Sequence, residues 1–203
     1  MKYYLDITLL PSDDIGVHFL WTKVMIQIHL ALVEIQNEKK QVPVAISFPR
    51  YQAKVNDKPA FVGNKLRLFA YDKVDLERLD LGKWLNRLED YVHLKTITVV
   101  PNNISVYESF NRRRKSGSPD KHIRRRISRA EKHNNETPEQ AIEFFKGYNM
   151  TKEDKALPFI WMKSLRSDNE FCMVIIQKEV GAASHRVMFN TYGLSGKGAL
   201  PKF

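Results

Sequence analysis

One apolar stripe constrains the fold of this chain more than any other feature. Val17, Leu20, Trp21, Val24, Ile28, Ala31, Leu32 and Ile35 recur at three- and four-residue spacing, which predicts a long helix with one buried face. Asp13 and Asp14 precede it, and their negative charge suits the positive end of a helix, so the helix is expected to open there. Something must cover that face, and the flanking segments read as strands. Residues 3–10 (YYLDITLL) are rich in β-formers and stop at Pro11; 42–48 (VPVAISF) and 65–71 (KLRLFAY) follow, separated by a polar loop. Residues 75–91 carry Leu76, Leu79, Leu85 and Leu88 as a second amphipathic helix, and 96–100 (TITVV) reads as a last strand before Pro101. The order βαββαβ is the split unit of the ferredoxin-like fold. The expectation is therefore an α+β protein whose first domain, residues 1–101, is ferredoxin-like. That topology serves RNA-binding modules and many proteins that never meet RNA, so it assigns no function.

The second expected domain, residues 102–203, has another texture. Residues 102–118 read as polar, basic and irregular. Ser118-Pro119-Asp120 is a helix start, with Ser as the cap, Pro in the first turn and an acid beside it. The helix is expected over about 119–134. Ile123, Ile127 and Ala130 give it only a thin apolar stripe, while Arg124, Arg125, Arg126, Arg129 and Lys132 fan over the rest. Between residues 111 and 133 stand ten Lys or Arg against two acids, so this stretch holds +8 of the formal +10. Clustered like charges repel along a helix, and a solvated face explains so uncompensated a run poorly. Arginine's planar fork suits phosphates and guanine edges. A nucleic-acid partner is the reading this segment supports. Thr137-Pro138-Glu139-Gln140 then reads as a capping box of a short helix ending at Gly147. Residues 157–163, 171–178 and 185–192 read as strands, and 193–198 as a glycine loop, either a turn or a set of N–H groups for a phosphate. This half is thus expected to be irregular α+β around an arginine-rich helix.

Several function classes drop out. Cys172 is the only cysteine, which rules out an internal disulfide, points to a reducing compartment and removes a cysteine-based zinc site. The six histidines are scattered without metal-ligand spacing, so neither metal nor other cofactor is expected. No apolar run is long enough for a membrane span, and the N-terminus lacks a signal-peptide core, so a cytoplasmic protein is expected. RNA can be cut without a metal, because its 2′-hydroxyl is a built-in nucleophile once a base takes its proton; histidine suits that task near neutrality. His29 lies at the border of the first helix's apolar stripe, where a packed core histidine and a catalytic one look alike. Composition and spacing do not single out Ser164 or Tyr192.

Six stretches, taken in order, resemble the type I-F CRISPR repeat-processing endoribonucleases: YYLDITLLP, IHLALV around His29, VAISFP, PDKHIRRRISR, LPFIWMKS and TYGLSGKGALPKF. The resemblance implies a metal-independent endoribonuclease that cuts CRISPR precursor transcripts at the 3′ base of a repeat stem-loop by 2′-hydroxyl attack. It also implies a cyclic phosphate product, and an enzyme that stays on the mature guide RNA beside other subunits of a surveillance complex. By the same resemblance His29 is the base, Ser164 holds the ribose at the cut and Tyr192 positions the histidine. Arg125, Arg126 and Arg129 face the stem, Arg112 and Arg114 read bases at its foot, and Phe171 packs against a base. The deep, narrow major groove of A-form RNA admits a helix only where a stem is short, so a short hairpin is the expected target. The alternatives are a non-catalytic hairpin-binding subunit and a basic structural protein of a ribonucleoprotein.

Overall fold

A computed structural model describes residues 1–56, 59–113, 127–128, 137, 139–140, 157–164, 170–182, 185–195 and 197–203. The chain forms two compact units, one of residues 1–113 with 157–203 and one of residues 114–156. It is a mixed α+β protein built on antiparallel sheets.

In the larger unit the predicted apolar stripe becomes helix α1, Val17–Glu34, which buries Leu20, Trp21, Val24, Met25, Ile28, Ala31 and Leu32. It opens later than the aspartates suggested. The Ser12 hydroxyl accepts from the Asp14 and Ile15 N–H groups, closing a turn there that satisfies donors a helix would otherwise have left to its first turn. Strand β1, Tyr3–Leu9, leads into α1. After the helix the segment expected as one strand divides into β2, Gln41–Val42, and β3, Ala45–Ser47. Pro43 falls in the gap, and a proline has no N–H to give a ladder. Strand β4, Lys65–Ala70, pairs antiparallel with both β1 and β3.

The expected helix over 75–91 is broken into α2, Lys73–Glu77, α3, Leu81–Leu85, and a 3₁₀ turn, Asn86–Tyr91. Asp80 stands at the break with φ +43°, a left-handed conformation that ends a helix and that Asp tolerates better than most residues. Strand β5, Val92–Leu94, was not anticipated; with β6, Thr98–Val99, it pairs along the other edge of β1. One extra residue separates the two registers, and the Asp6 carbonyl accepts the Lys95 N–H across this bulge. The sheet therefore runs β3-β4-β1-β5, with β6 also on β1.

The tract read as irregular contains β7, Tyr107–Arg113, inside a second antiparallel sheet. Its neighbours are β8, Phe159–Lys163, β9, Glu170–Val180, and β11, Leu200–Pro201, in the order β11-β7-β9-β8. Polar residues in β7 hid it: Glu108 and Ser109 are buried beside Phe110, so no apolar alternation shows. Of residues 185–192 only β10, Phe189–Asn190, is a strand, and it pairs with β2. Both sheets and α1 contribute to one apolar core, in which Ile7, Leu32 and Leu68 join Phe110, Met162 and Ile175. Among the described residues no helix is long and apolar enough to cross a membrane.

In the smaller unit, Ile127 and Ser128 are helical, and the Thr137 capping box is formed. The Thr137 N–H donates to the Gln140 side-chain oxygen at 2.9 Å, and the Gln140 N–H donates back to Thr137 Oγ1 at 3.4 Å. The rest of the helix expected over 119–134, and the helix expected to end at Gly147, lie outside the described residues.

One buried ion pair ties the first sheet to the end of the chain. Arg67 on β4 lies opposite Asp6 on β1 and grips it twice, Nε to Oδ1 at 2.6 Å and Nη2 to Oδ2 at 3.0 Å. Its Nη1 donates to the Phe203 carbonyl at 2.9 Å, and its guanidinium carbon lies 4.0 Å from the Phe203 ring centroid and 4.6 Å from that of Tyr4. Burial works to raise the Asp6 carboxyl pKa. The bonds and charge of Arg67, with the charge of Lys65, outweigh it and hold the group below the usual carboxylate range. A depressed folded-state value means the stabilisation is present above the unfolded-chain value and fades as pH falls through the folded one. Replacing Arg67→Met leaves the buried carboxylate only its 3.3 Å contact with the Lys65 ammonium, so urea unfolding at neutral pH should show a loss of about 3 kcal/mol. Below about pH 4, where free Asp protonates, that deficit should shrink.

Candidate active site

His29 sits in the second half of α1, one residue past the buried Ile28, so its ring leaves the core at the helix border, half-exposed. What meets it comes from the far end of the chain. Antiparallel pairing of β10 with β2 delivers Asn190, and a closed turn follows. The Asn190 side-chain oxygen accepts the Tyr192 N–H at 2.8 Å and the Leu194 N–H at 3.2 Å, while its carbonyl accepts the Gly193 N–H at 2.8 Å. Asparagine is suited to this turn because its side chain bonds the backbone just ahead of it. Gly193 is required: its φ is +67°, and a Cβ there would stand 2.7 Å from Ile46 Cγ1. The Gly193 carbonyl accepts the Ile46 N–H at 2.8 Å, fastening the turn to β3. Of the two readings of the glycine loop, the described part of it thus behaves as a structural turn.

This turn holds two groups against the imidazole. The Thr191 carbonyl oxygen lies 2.7 Å from His29 Nδ1. A carbonyl only accepts, so Nδ1 carries the hydrogen, and in the neutral ring the lone pair falls on Nε2. The Tyr192 ring lies flat on the imidazole, centroids 4.1 Å apart and planes within 4°. One contact fixes the tautomer, the other the plane. Such an imidazole can take a proton at Nε2 without first having to turn or shuffle hydrogens.

A cation completes the cluster. Arg112, on β7, places its guanidinium carbon 5.7 Å from the Tyr192 centroid and 4.6 Å from that of Phe171 on β9, within cation–π reach of both rings. Its Nε–H is buried without a hydrogen-bond partner among the described residues, and no described carboxylate pairs with it. An orphaned buried donor costs about 1–3 kcal/mol, which an acceptor from a ligand would recover. The aromatic rings hold the cation in place, and it gives no hydrogen bond to any described residue.

The structure therefore brings His29, Tyr192, Arg112 and Phe171 together. Ser164 follows directly after β8, one position beyond the Lys163–Glu170 pair and two beyond Met162, which lies opposite Phe171. This puts Ser164 at the same end of the sheet as Phe171, and it is half-buried. Arg114, Arg125, Arg126 and Arg129 lie outside the described residues. Sequence reasoning missed Asn190 and the Thr191 carbonyl; the Asn190–Gly193 spacing, a turn pattern, was the available signal. Among the described residues no three His, Cys, Asp or Glu side chains cluster closely enough to hold a metal ion.

The Tyr192 hydroxyl takes no part in these contacts, so the ring alone should suffice. Tyr192→Phe is expected to keep the Nδ1-protonated tautomer of His29, read from the imidazole ¹⁵N shifts. Tyr192→Ala, which frees the ring to swing off the Thr191 carbonyl, is expected to give a mixture of tautomers.

The model of the family described as CRISPR-associated protein (Cas_Csy4) matches residues 4–203. A curated relative, the CRISPR-associated endonuclease Cas6/Csy4 of Escherichia coli (strain UTI89 / UPEC), is 29% identical over 203 residues, covering 100% of both chains. A match along nearly the whole length, through the turn that carries Tyr192 as well as the helix that carries His29, settles kinship: the chain belongs to the Cas_Csy4 family of CRISPR-associated proteins.

Proposed function

We propose that this chain is a metal-independent endoribonuclease that cuts CRISPR precursor transcripts at the 3′ base of each repeat hairpin. The observation that carries the reading is the His29 arrangement, a ring fixed in plane by Tyr192 and in tautomer by the Thr191 carbonyl, with the Arg112 guanidinium, unpaired among the described residues, against the Tyr192 ring. The related endonuclease lends the activity class. In this mechanism His29 Nε2 takes the proton of the 2′-hydroxyl at the nucleotide before the cut. The oxygen attacks the adjacent phosphorus, and the bond to the 5′-oxygen breaks. The products are a 2′,3′-cyclic phosphate and, once the leaving oxygen is protonated, a 5′-hydroxyl. Ser164 holds the ribose of that nucleotide, and Phe171 and Arg112 engage its base and the foot of the stem. Charge develops on the phosphoryl oxygens as the bond forms, and fixed cations offset it best in a site that excludes water.

Recognition falls mainly to residues 102–203. Arg114 reads the stem's foot, and Arg125, Arg126 and Arg129 lie along the stem from a helix over about 119–134. The charge of that segment, +8 of the +10, supports this. The first sheet, with its order β3-β4-β1-β5 and a helix after β1, supports a ferredoxin-like domain. In this reading the protein works in the cytoplasm, remains on the cut hairpin and enters a surveillance complex with other subunits.

Base and grip should separate. With the repeat hairpin from the chain's own CRISPR array, His29→Ala should bind like the wild type and lose at least about 10²-fold in single-turnover cleavage. Arg126→Ala should weaken binding and lower the slope of log affinity against log salt by about 1. Loss of binding in the histidine variant, or cleavage that survives it, would contradict the assignment.

A further inference from the structure

A second surface on α1 has the chemistry of a single-strand RNA site. A groove of about 510 Å³ runs between α1 and the α3 region, lined by Lys23, Gln27, Lys83, Trp84, Asn86 and Arg87 among others. Lys23, Lys83 and Arg87 are exposed, and none of the three forms an ion pair with a described residue. No carboxylate lines the groove among the described residues. An aromatic ring lies among the cations and a second flanks the groove: the Lys83 ammonium stands 5.6 Å from the half-buried Trp84 ring in the lining, and that of Lys23 stands 4.9 Å from Phe19 outside it, which is 56% exposed. Two side-chain amides, Gln27 and Asn86, complete a lining able to donate to or accept from base edges. Cations that follow a backbone and flat rings that take bases are the two components of sequence-tolerant single-strand binding.

The groove's place on α1 says which strand it would take. Gln27 and His29 are two residues apart, hence about 200° around the helix, and Lys23 lies about 9 Å along the axis from His29. The groove thus occupies the face of α1 turned away from the imidazole and within a few nucleotides of it. We propose that it holds the unpaired RNA just 3′ of the cut, as that strand leaves His29 and crosses α1. This rests on the proposed function, which puts the cut at His29. An acidic peptide would also find cations here, but it would gain nothing from the aromatic faces. The departing strand, moreover, is joined covalently to a hairpin already bound, so a weak site becomes occupied through effective concentration.

The test compares two uncleavable RNAs that carry a 2′-deoxy sugar at the nucleotide before the cut. One is the array's repeat hairpin ending at the cut; the other continues 3′ with about eight unstructured nucleotides, within the range such sites span. The wild type should bind the extended RNA on the order of tenfold more tightly. The triple variant Lys23→Gln, Lys83→Gln, Arg87→Gln should bind both equally, keep the wild-type affinity for the bare hairpin, and show a salt slope for the extended RNA lower by about 2. An extension that adds nothing in the wild type, or a gain that survives the triple variant, would overturn the proposal and leave the groove to a protein partner. Native hairpin that is bound but never cut would contradict the proposed chemistry alone, because neither RNA in the flank comparison can be cleaved.

Discussion

His29 and Thr191 are 162 residues apart, and the 2.7 Å bond between the imidazole and the Thr191 carbonyl depends on nearly every feature of the larger unit. It requires α1 to be seated on its apolar face, so that residue 29 falls at the helix border. It requires β2 to turn back from the end of α1 and offer an edge to β10. It requires the Asn190 turn to close and Gly193 to adopt a positive φ against Ile46. A lone imidazole at a helix border would sample both tautomers and many orientations. Here a backbone acceptor and a stacked phenol leave it one of each. Two contacts therefore fix both the tautomer and the plane of an otherwise ordinary histidine.

The same unit separates the work of holding from the work of binding. Arg67 spends its guanidinium inside the fold, on Asp6, the Phe203 carbonyl and the rings of Tyr4 and Phe203. Arg112 spends none of its hydrogen bonds on a described residue and lies against the ring faces of Phe171 and Tyr192. A buried ion pair in which all three guanidinium nitrogens hold a partner is structural and sensitive to loss of either partner. A cation held by aromatic faces keeps its directional bonds for something that arrives later. In a family of CRISPR-associated proteins, with a curated relative named as an endonuclease, an RNA acceptor is the natural occupant of that guanidinium in the proposed function.

What the sequence made legible follows from local physics. The α1 stripe and the apolar strands β1 and β4 were readable because burial on one face prints a period into the residues. Three features were not. Strand β7 carries Glu108, Ser109, Asn111, Arg112 and Arg113, so its pairing with β9 and β11 left no apolar alternation to see, and it passed for a basic linker. The helix expected over 75–91 kept its leucine spacing through a backbone reversal at Asp80 that spacing cannot register. Likewise, nothing near His29 in sequence distinguishes it from a core histidine, since both of its partners come from the C-terminal turn. The resemblance to a known family named His29 and Tyr192, and the structure shows the contact that joins them, a flat stack of the two rings. The charge count over residues 111–133 needed no structure, because uncompensated like charge is a property of composition.

The central claim is that the fixed imidazole acts on RNA's own 2′-hydroxyl. Single-turnover incubation of the protein in excess EDTA with the array's repeat hairpin, native and with one 2′-deoxy sugar at the nucleotide before the cut, tests it most directly. The account predicts full cleavage of the native RNA to a 2′,3′-cyclic phosphate end and none of the deoxy RNA, which should still bind. Cleavage of the deoxy RNA, or of the native RNA only when a metal ion is restored, would contradict it.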